Sequence, residues 1–196
     1  MKLLLQAFLS LTFLTFITGI LYPLTITVVA LVFFPARSQG SLVYDKGHAV
    51  GSRLIGQNFT DRKYFWPRPS ATNYSPMPSG GSNLNPISAS LRTLVDSRRA
   101  AFRSAHGLLA KDTVPNDMLF ASGSGLDPDI SPDAARLQIG RVARERHLTE
   151  SQKSDLSALV ERSIVLPQLG FLGNARVNVL RLNQNLDRLC GFSAKY

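Results

Sequence analysis

The chain opens with an apolar segment that is too long to be buried inside a small domain. Residues 3–36 contain no charged side chain, and they include nine Leu and five Phe. A helix of roughly 20 residues is enough to span the hydrocarbon core of a bilayer. A cleaved secretory signal has an apolar region of about 7–15 residues followed by small residues, whereas this segment ends in Phe33-Phe34-Pro35. The sequence therefore predicts an uncleaved single-pass anchor over residues 1–36, with about residues 7–34 in the bilayer.

A proline interrupts the predicted anchor helix near its middle. Pro23 has no amide hydrogen, so the carbonyl one turn earlier, at Gly19, loses its usual partner. We therefore expect a kink in the helix near Gly19. A kinked helix with a small residue at the kink can also serve as a docking face for other membrane helices.

The charges beside the segment bear on which side of the membrane the rest of the chain occupies. A short tail carrying only Met1 and Lys2 stays inside by default, which would place the domain outside the cell's inner (plasma) membrane. The positive-inside rule counts Lys and Arg in the flanks, and Arg37, Lys46 and Arg53 follow the segment. That count does not support the default, but long domains cross regardless of charge. We expect an extracytoplasmic domain.

The remaining residues, 37–196, form the predicted soluble domain. They carry 21 basic and 13 acidic residues, and the single Cys190 excludes an internal disulfide. A nucleic-acid surface needs a continuous basic stripe with interleaved aromatic residues. Only the string at residues 62–66, Arg-Lys-Tyr-Phe-Trp, has that character, and it is short. We expect no nucleic-acid partner, and instead a solvated basic face or attraction to anionic lipid headgroups.

The pattern beyond the anchor predicts one small α+β domain. Helices are predicted at about residues 86–106 with Asn85 as cap, at about residues 131–145 behind Ser131-Pro132, and from Thr149, where Gln152 completes a capping-box spacing. Strands are predicted at residues 41–44, 118–121 and 176–182, and a short helix at about residues 184–189. Residues 67–86 form a long loop rich in Pro, Ser, Gly and Asn. Loops of this length usually carry function or are disordered, and we expect an ordered, partner-facing one.

No self-sufficient catalytic set is recognisable in the sequence. The phosphate-binding Gly-x4-Gly-Lys-Ser/Thr loop is missing, as are the Asp-Lys-Thr-Gly signature of ion-pumping ATPases and the Gly-x-Ser-x-Gly elbow. The three histidines, His48, His106 and His147, have no metal-ligand spacing, so we expect no metal site. These absences argue against most enzyme classes.

One set of residues leaves an enzymatic alternative open. Asp127 and Asp129 flank Pro128, and Ser124 lies three residues before the first of them. The carboxylates could act with Ser124 in a membrane-anchored envelope enzyme. The alternative is that both aspartates cap turns in a connection rich in Gly and Pro.

Two glycine-serine segments precede predicted helices. They comprise Ser79, Gly80, Gly81, Ser82 and Asn83, and then Ser122, Gly123, Ser124 and Gly125. Successive amides in such loops can form a concave anion site near a helix N-terminus. Gln138, on the second helix, could reach a ligand held by the later loop, or it could satisfy a neighbouring backbone carbonyl.

Strings along the whole chain resemble one family. They include Ser122-Gly123-Ser124-Gly125-Leu126-Asp127-Pro128, Ile130-Ser131-Pro132, Tyr22-Pro23-Leu24, Arg68-Pro69-Ser70-Ala71, Ser79-Gly80-Gly81-Ser82-Asn83-Leu84 and Arg176-Val177-Asn178-Val179-Leu180. Taken from the N-terminus to the C-terminus, they resemble in content and order KdpC, the small subunit of the bacterial Kdp potassium-transporting P-type ATPase. The chain departs from the family at Asp129, where a His is usual, so a role for an imidazole at that position is in doubt.

The resemblance implies a non-catalytic accessory subunit of a high-affinity potassium uptake complex. Its expected partners are the channel-like potassium-translocating subunit, the catalytic subunit that carries the phosphorylated aspartate, and membrane lipid. Potassium is then the transported ion, with no site identified in this chain. The family is also described as a catalytic chaperone that raises the ATP affinity of the catalytic subunit. The resemblance then implies nucleotide contacts at Ser122, Gly123, Ser124, Gly125 and Gln138. An extracytoplasmic domain would not meet ATP, and its loops at Arg68 and residues 79–83 would then contact the channel-like subunit.

Overall fold

The computed structural model describes residues 1–45 and 47–191. The chain divides into two compact units, Met1–Leu42 and Val43–Tyr196. The first unit is helical and the second combines helices with short strands. The predicted α+β class is confirmed.

The first unit is dominated by one long apolar helix. It consists of α1 (Lys2–Phe16), a π-helical turn (Ile17–Leu21) and α2 (Tyr22–Phe33), followed by the short α3 (Pro35–Ser38). Over Lys2–Phe33 it is 32 residues long with a mean hydropathy of 2.2 in its most apolar window, and none of that window is buried. By length and composition it can cross a membrane.

Gly19 lies in the π-helical turn, which ends two residues before Pro23. A residue that lacks an amide forces the preceding carbonyls to find other partners, and a π-helical turn is one way to do so. The threonine hydroxyls bond within the helix as well, for example from Thr18 to the Leu14 carbonyl at 2.7 Å and from Thr27 to the Pro23 carbonyl at 2.8 Å. The polar groups of these threonines are thereby satisfied inside an apolar segment.

The second unit contains four helices and two small sheets among its described residues. Its elements are β1 (Leu42–Asp45), β2 (His48–Ser52), α4 (Ala89–His106), a 3₁₀ turn (Asn116–Met118), β3 (Asp129–Ile130), α5 (Pro132–Glu145), α6 (Glu150–Arg162), β4 (Ile164–Val165), β5 (Arg176–Asn178) and α7 (Val179–Leu189). Strand β1 pairs with β2, and β5 lies between β3 and β4 in an antiparallel sheet. In this sheet Val177 of β5 lies opposite Ile130 of β3 on one side and opposite Ile164 of β4 on the other.

The predicted starts of two helices are confirmed and one is wrong. The Ser131 hydroxyl accepts from the Ala134 amide, and Thr149 and Gln152 form a capping box at the start of α6. Helix α4 begins at Ala89 rather than Pro86, because Ser88 is its cap. The Asn85 side chain instead accepts from the amide of Ile87, within the preceding turn.

Two of the three strand predictions are corrected by the structure. Residues 118–121 form no strand, since Met118 ends a 3₁₀ turn and Leu119 is packed in the core. The strand at Arg176 ends at Asn178, whose side chain caps α7 by accepting from the amide of Arg181. The final helix therefore begins at Val179, five residues before the predicted position.

The core of the second unit is built around α5, and β5 and helices α4, α6 and α7 contribute to it. Its most deeply buried apolar residues are Phe65, Ile130, Ala134, Ala135, Val142, Leu156, Val160, Val177, Leu182 and Leu186. Small Ala134 and Ala135 on α5 allow close approach of neighbouring elements, as cores packed to crystal-like density require. The loops that follow lie over this framework.

Candidate functional site

The two glycine-serine segments singled out in the sequence lie against each other. The amide of Gly80 donates to the carbonyl of Ser124 at 2.9 Å. The amide of Ser122 donates to the carbonyl of Pro69 at 3.2 Å, which brings in the beginning of the long loop. Residues 67–86 and 122–125, whose proximity no sequence pattern indicated, thus form one surface, here called the paired glycine loops.

The close approach of the paired glycine loops depends on Gly125. Its φ is +69°, and a Cβ at this position would lie 2.6 Å from Thr72 Oγ1 and 2.8 Å from the carbonyl oxygen of Gly80. Both distances are far below van der Waals contact, and one of the obstacles is backbone. Only glycine fits this position without displacing the facing loop.

An ion pair fixes the base of the paired glycine loops. Arg68 Nη1 lies 2.7 Å from Asp127 Oδ2, and the hydroxyl of Tyr74 donates to the carbonyl of Arg68. Burial raises the pKa of the Tyr74 hydroxyl, so it remains a donor at physiological pH. Gly56 closes the same region, since its amide donates to the carbonyl of Leu126 at 2.7 Å. Arg68 therefore holds the long loop to the segment before β3.

The two aspartates of the enzymatic alternative are engaged in structural contacts. Asp127 Oδ1 accepts from the amide of Asp129 at 3.0 Å, in addition to the pair with Arg68. Asp129 Oδ2 lies 3.0 Å from Arg176 Nε, and its Oδ1 accepts from Asn178 Nδ2 at 3.1 Å. Burial raises the pKa of the Asp129 carboxyl above its ordinary value, although both partners favour the charged form. This is the turn-capping arrangement that the sequence allowed for Asp127.

Ser124 is not joined to either carboxylate. Its hydroxyl accepts from the amide of Leu126 at 3.1 Å, a local turn contact. Within residues 1–45 and 47–191, no hydrogen bond connects Ser124 to a carboxylate or an imidazole, so the geometry of an activated nucleophile is not formed there. No group of three or more His, Cys, Asp or Glu side chains with metal-binding geometry occurs in that part of the chain.

A cleft of about 520 Å³ lies beside these ion pairs. Its lining combines three carboxylates with two guanidinium groups: Asp117, Asp127, Asp129, Arg68 and Arg176. Asp117 is also engaged, because it accepts from the amide of Ser131 at 2.7 Å at the start of α5. Ser122, Gly123, Ser124, Gly125 and Gln138 do not line this cleft.

Gln138 lies in the core and not beside the paired glycine loops. It is fully buried, its Oε1 accepts from the amide of Trp66 at 2.7 Å, and its Nε2 donates to the carbonyl of Trp66 at 3.1 Å. Arg141 Nη2 donates to the same Oε1 at 2.8 Å. Of the two roles considered from the sequence, these contacts match satisfaction of a neighbouring backbone.

The Trp66 contacts belong to a larger arrangement in which side chains hold an extended backbone segment. Asn183 on α7 binds Phe65 in the same way as Gln138 binds Trp66: its Oδ1 accepts from the Phe65 amide at 2.8 Å and its Nδ2 donates to the Phe65 carbonyl at 3.0 Å. Buried backbone groups need partners, and here two amide side chains provide them in place of a neighbouring strand. Of the string at residues 62–66, Tyr64 and Phe65 are therefore part of the core, whereas Arg62 is exposed.

Arg141 completes the interior of this arrangement. Its guanidinium stacks 4.0 Å from the Trp66 ring centroid, and its Nε donates to His106 Nε2 at 3.0 Å. His106 Nδ1 lies 2.7 Å from the carbonyl of Phe102, so the ring is neutral, with the proton on Nδ1. Burial lowers the pKa of His106 to about 4, and the charge of Arg141 acts in the same direction.

A small α+β unit with paired glycine loops, preceded by one long apolar helix, is the class of protein that these observations define. The sequence model of the family described as KdpC, K⁺-transporting ATPase, c chain, matches residues 4–188. Proteins named potassium-transporting ATPase KdpC subunit are similar over nearly the whole chain. The one from Leptospira interrogans is 48% identical over 93% of this chain and 92% of its own length, and the one from Geobacter sulfurreducens is 47% identical over 96% and 99%.

The chain belongs to the KdpC family. A match to residues 4–188 covers both the apolar helix and the domain, so the resemblance read from the sequence is confirmed along the chain. The relatives' names place them in potassium-transporting ATPases, which are membrane complexes of several subunits.

Proposed function

We propose that this chain is a non-catalytic accessory subunit of an ATP-driven potassium uptake complex, and that it stabilises assembly of the channel-like and catalytic subunits. The observation that supports this most directly is the apolar helix Lys2–Phe33, which has no buried residue in its most apolar window. Thirty-two residues of exposed apolar helix need lipid or other membrane helices around them. We propose that this helix is a single-pass anchor in the inner membrane and the main contact to the larger subunits.

The domain contacts support an accessory role over the enzymatic alternative. Ser124 accepts a local backbone hydrogen bond, and Asp127 and Asp129 are paired with Arg68 and Arg176. Both carboxylates are engaged by arginine side chains, and neither is hydrogen-bonded to Ser124 in the way a general base must be to take its proton. Phosphorylation and ion translocation are then functions of the partner chains, and potassium is the transported ion.

Co-purification of the complex with anchor variants tests the assembly role. We expect a chain lacking residues 1–36 to be lost from the complex while its domain keeps the fluorescence of its single Trp66. A second variant, with residues 1–36 replaced by an unrelated membrane helix of equal length, separates tethering from specific docking. Stable association of the chain without any anchor would contradict the proposal.

We propose further that the domain is extracytoplasmic, and cysteine labelling tests this. The natural Cys190 is half-buried and packs against the core, which makes it a poor probe. In a Cys190→Ser background, Ser154→Cys on the exposed side of α6 reports the domain and Lys2→Cys reports the N-terminal tail. A membrane-impermeant thiol reagent should label intact cells at position 154 and not at position 2. The opposite pattern would place the domain inside.

Direct nucleotide contact is the second candidate function, and it applies only if the labelling experiment places the domain inside; exposure at the paired glycine loops favours a restricted form of it. Gly123 and Ser124 are exposed, whereas Ser122 and Gly125 are buried. A nucleotide could therefore contact only the exposed residues of the later loop, Gly123 and Ser124. Gln138 would affect nucleotide binding indirectly, through its hydrogen bonds to the Trp66 backbone. Ser124→Asp should then weaken ATP photolabelling of the solubilised complex through charge repulsion, while Ser151→Asp, on exposed α6, should not. Equal labelling of all three complexes would remove this function.

A further inference from the structure

The connection between β4 and β5 exposes large apolar side chains. Residues 164–175 contain no charged residue, and five of their apolar side chains are exposed: Val165, Leu166, Leu169, Phe171 and Leu172. Leu169 is 82% exposed and Phe171 is 74% exposed. Single exposed apolar residues are common, but five within one short connection form a patch of the kind that marks a binding surface.

The connection is a formed hairpin. Gln168 and Leu172 bridge in both directions, with N–O distances of 3.0 and 2.9 Å, and the amide of Phe171 donates to the carbonyl of Gln168 at 3.3 Å. β4 and β5 hold its base in the three-stranded sheet. The apolar tip, here called the 164–175 hairpin, is therefore presented in a defined shape.

Leu169 occupies a turn position that its side chain does not favour. Its φ is +54° and that of Gly170 is +82°, so both central residues are left-handed. The hydrogen bond from the Phe171 amide to the Gln168 carbonyl closes a tight turn over Leu169 and Gly170, and turns with two left-handed central residues favour Asn-Gly or Gly-Gly, because other side chains crowd the backbone at positive φ. Leu169 also contributes nothing to the core, since it is exposed. Strained backbone positions of this kind cluster at binding and other functional sites.

Charge identifies the occupant that fits this hairpin. Arg162 and Arg176 flank the uncharged stretch, and residues 37–196 as a whole carry eight more basic than acidic residues. Arg162 is exposed, whereas Arg176 is paired with Asp129. An apolar tip on a domain with an excess of basic residues is complementary to the interface of an anionic bilayer, where apolar side chains enter the acyl boundary and basic ones meet headgroups. The same chain carries the apolar helix that is proposed above to anchor it in a membrane.

We propose that the 164–175 hairpin is a second membrane-contact element, which inserts Leu169 and Phe171 into the interface of an anionic bilayer. This inference rests on the proposed anchoring by the helix at residues 2–33. It assigns a lipid surface, rather than a protein subunit, as the partner of this part of the domain.

Fluorescence quenching by labelled lipids tests the proposal on the full-length chain. In a Cys190→Ser background, an environment-sensitive NBD fluorophore is placed on Phe171→Cys, on Leu169→Cys, or on the polar control Ser154→Cys. A further probe, Leu14→Cys, lies within the apolar helix. The proteins are reconstituted at high lipid-to-protein ratio in vesicles of phosphatidylglycerol and phosphatidylcholine with or without doxyl-labelled lipid. Probes at 169 and 171 should be blue-shifted and lose most of their fluorescence to doxyl lipid, and the probe at 154 should lose little.

The four probes keep the two proposals separate. Quenching at 14 without quenching at 169 and 171 would overturn the hairpin proposal and leave the anchor intact. Failure of quenching at 14 would overturn the anchor itself. If the probes at 169 and 171 are shielded only when the other pump subunits are present, and without quenching by lipid, a protein partner covers the hairpin and the bilayer proposal is wrong.

Discussion

Arg146 and Asp187 form an ion pair in the interior of the domain, with 2.6 Å between Arg146 Nη2 and Asp187 Oδ1 and each side chain only 3% exposed. Asp187 Oδ2 also accepts from the Tyr64 hydroxyl at 3.0 Å, and Arg146 Nε donates to the carbonyl of Lys63 at 2.8 Å. Burial, followed by the charge of Asp187, raises the pKa of Tyr64 to about 12, so its hydroxyl stays a donor. The pair thus connects α7, the end of α5 and the extended segment.

Breaking this pair on one side should be costly. Asp187→Asn removes the buried carboxylate that Arg146 contacts at 2.6 Å, and breaking a buried ion pair on one side usually costs about 3–5 kcal/mol of unfolding free energy. The matched control is Glu161→Gln, which removes an exposed partner of Arg136 and should lower the unfolding free energy far less, because solvent screens the pair. Urea denaturation of the full-length chain in detergent, followed by Trp66 fluorescence, measures both. Similar losses in the two variants would show that the pair is not a determinant of stability.

Two buried glutamines should respond oppositely to replacement by methionine. Gln138→Met leaves the amide and carbonyl of Trp66 without partners, which costs about 1–3 kcal/mol for each group. Gln184 is also buried, but its Nε2 has no hydrogen-bond partner among the described residues. Gln184→Met should therefore be neutral or stabilising. Denaturation followed by circular dichroism compares them, and a larger loss for Gln184→Met would refute this assignment.

The paired glycine loops should tolerate an added methyl group at Gly123 but not at Gly125. Gly125→Ala places a Cβ at 2.6 Å from Thr72 Oγ1 with φ +69°, so we expect a loss of about 1–2 kcal/mol from the backbone and about 1–3 kcal/mol from crowding. Gly123→Ala meets no atom within 4 Å and should change the unfolding free energy by less than about 1 kcal/mol. Protection of the Gly80 amide in hydrogen exchange should fall only in Gly125→Ala. Equal protection in both variants would mean that the loops separate without consequence.

Acid should destabilise the domain partly through His106. The pKa of His106 is lowered from 6.5 to about 4 in the folded chain. Between these pH values the unfolded chain binds a proton that the folded chain does not, so the unfolding free energy falls as pH falls through this window and is unaffected by His106 above it. His106→Gln should be less stable at pH 7 yet lose less between pH 7 and 4.5. Parallel pH profiles for the two proteins would exclude a role for this ring.

Features set by neighbouring residues were predictable from the sequence. Ser131 followed by Pro132, and Thr149 with Gln152, are local capping patterns, and both helices start where these patterns place them. The strand predicted at residues 176–182 ends at Asn178. The apolar residues that follow belong to α7, which packs on the core. A short apolar run can be buried in a helix as well as in a strand, and the periodicity of so few residues does not distinguish the two.

The candidate site shows the same division between local and distant information. The glycine-serine strings were recognisable, but their mutual contact joins Gly80 to Ser124 across the whole of α4. The role of Gln138 depends on Trp66, 72 residues away, and no local pattern reports that separation. Contacts that are distant in sequence leave no periodic signal, so the sequence could offer only alternatives for this residue.

The pair of hydrogen bonds between the Asn183 side chain and the Phe65 backbone has a consequence for biosynthesis. The two residues are 118 positions apart, so the extended segment emerges from the ribosome long before α7 can cap its amide and carbonyl groups. Translation proceeds from the N-terminus at about 5–20 residues per second. For several seconds the backbone groups of Phe65 therefore lack the partners that Asn183 provides, and the apolar segment around Phe65 is open to chaperones or to association with a second nascent chain. Premature termination before residue 183 should yield an aggregating fragment, because the side chain that binds this segment is encoded near the end of the message.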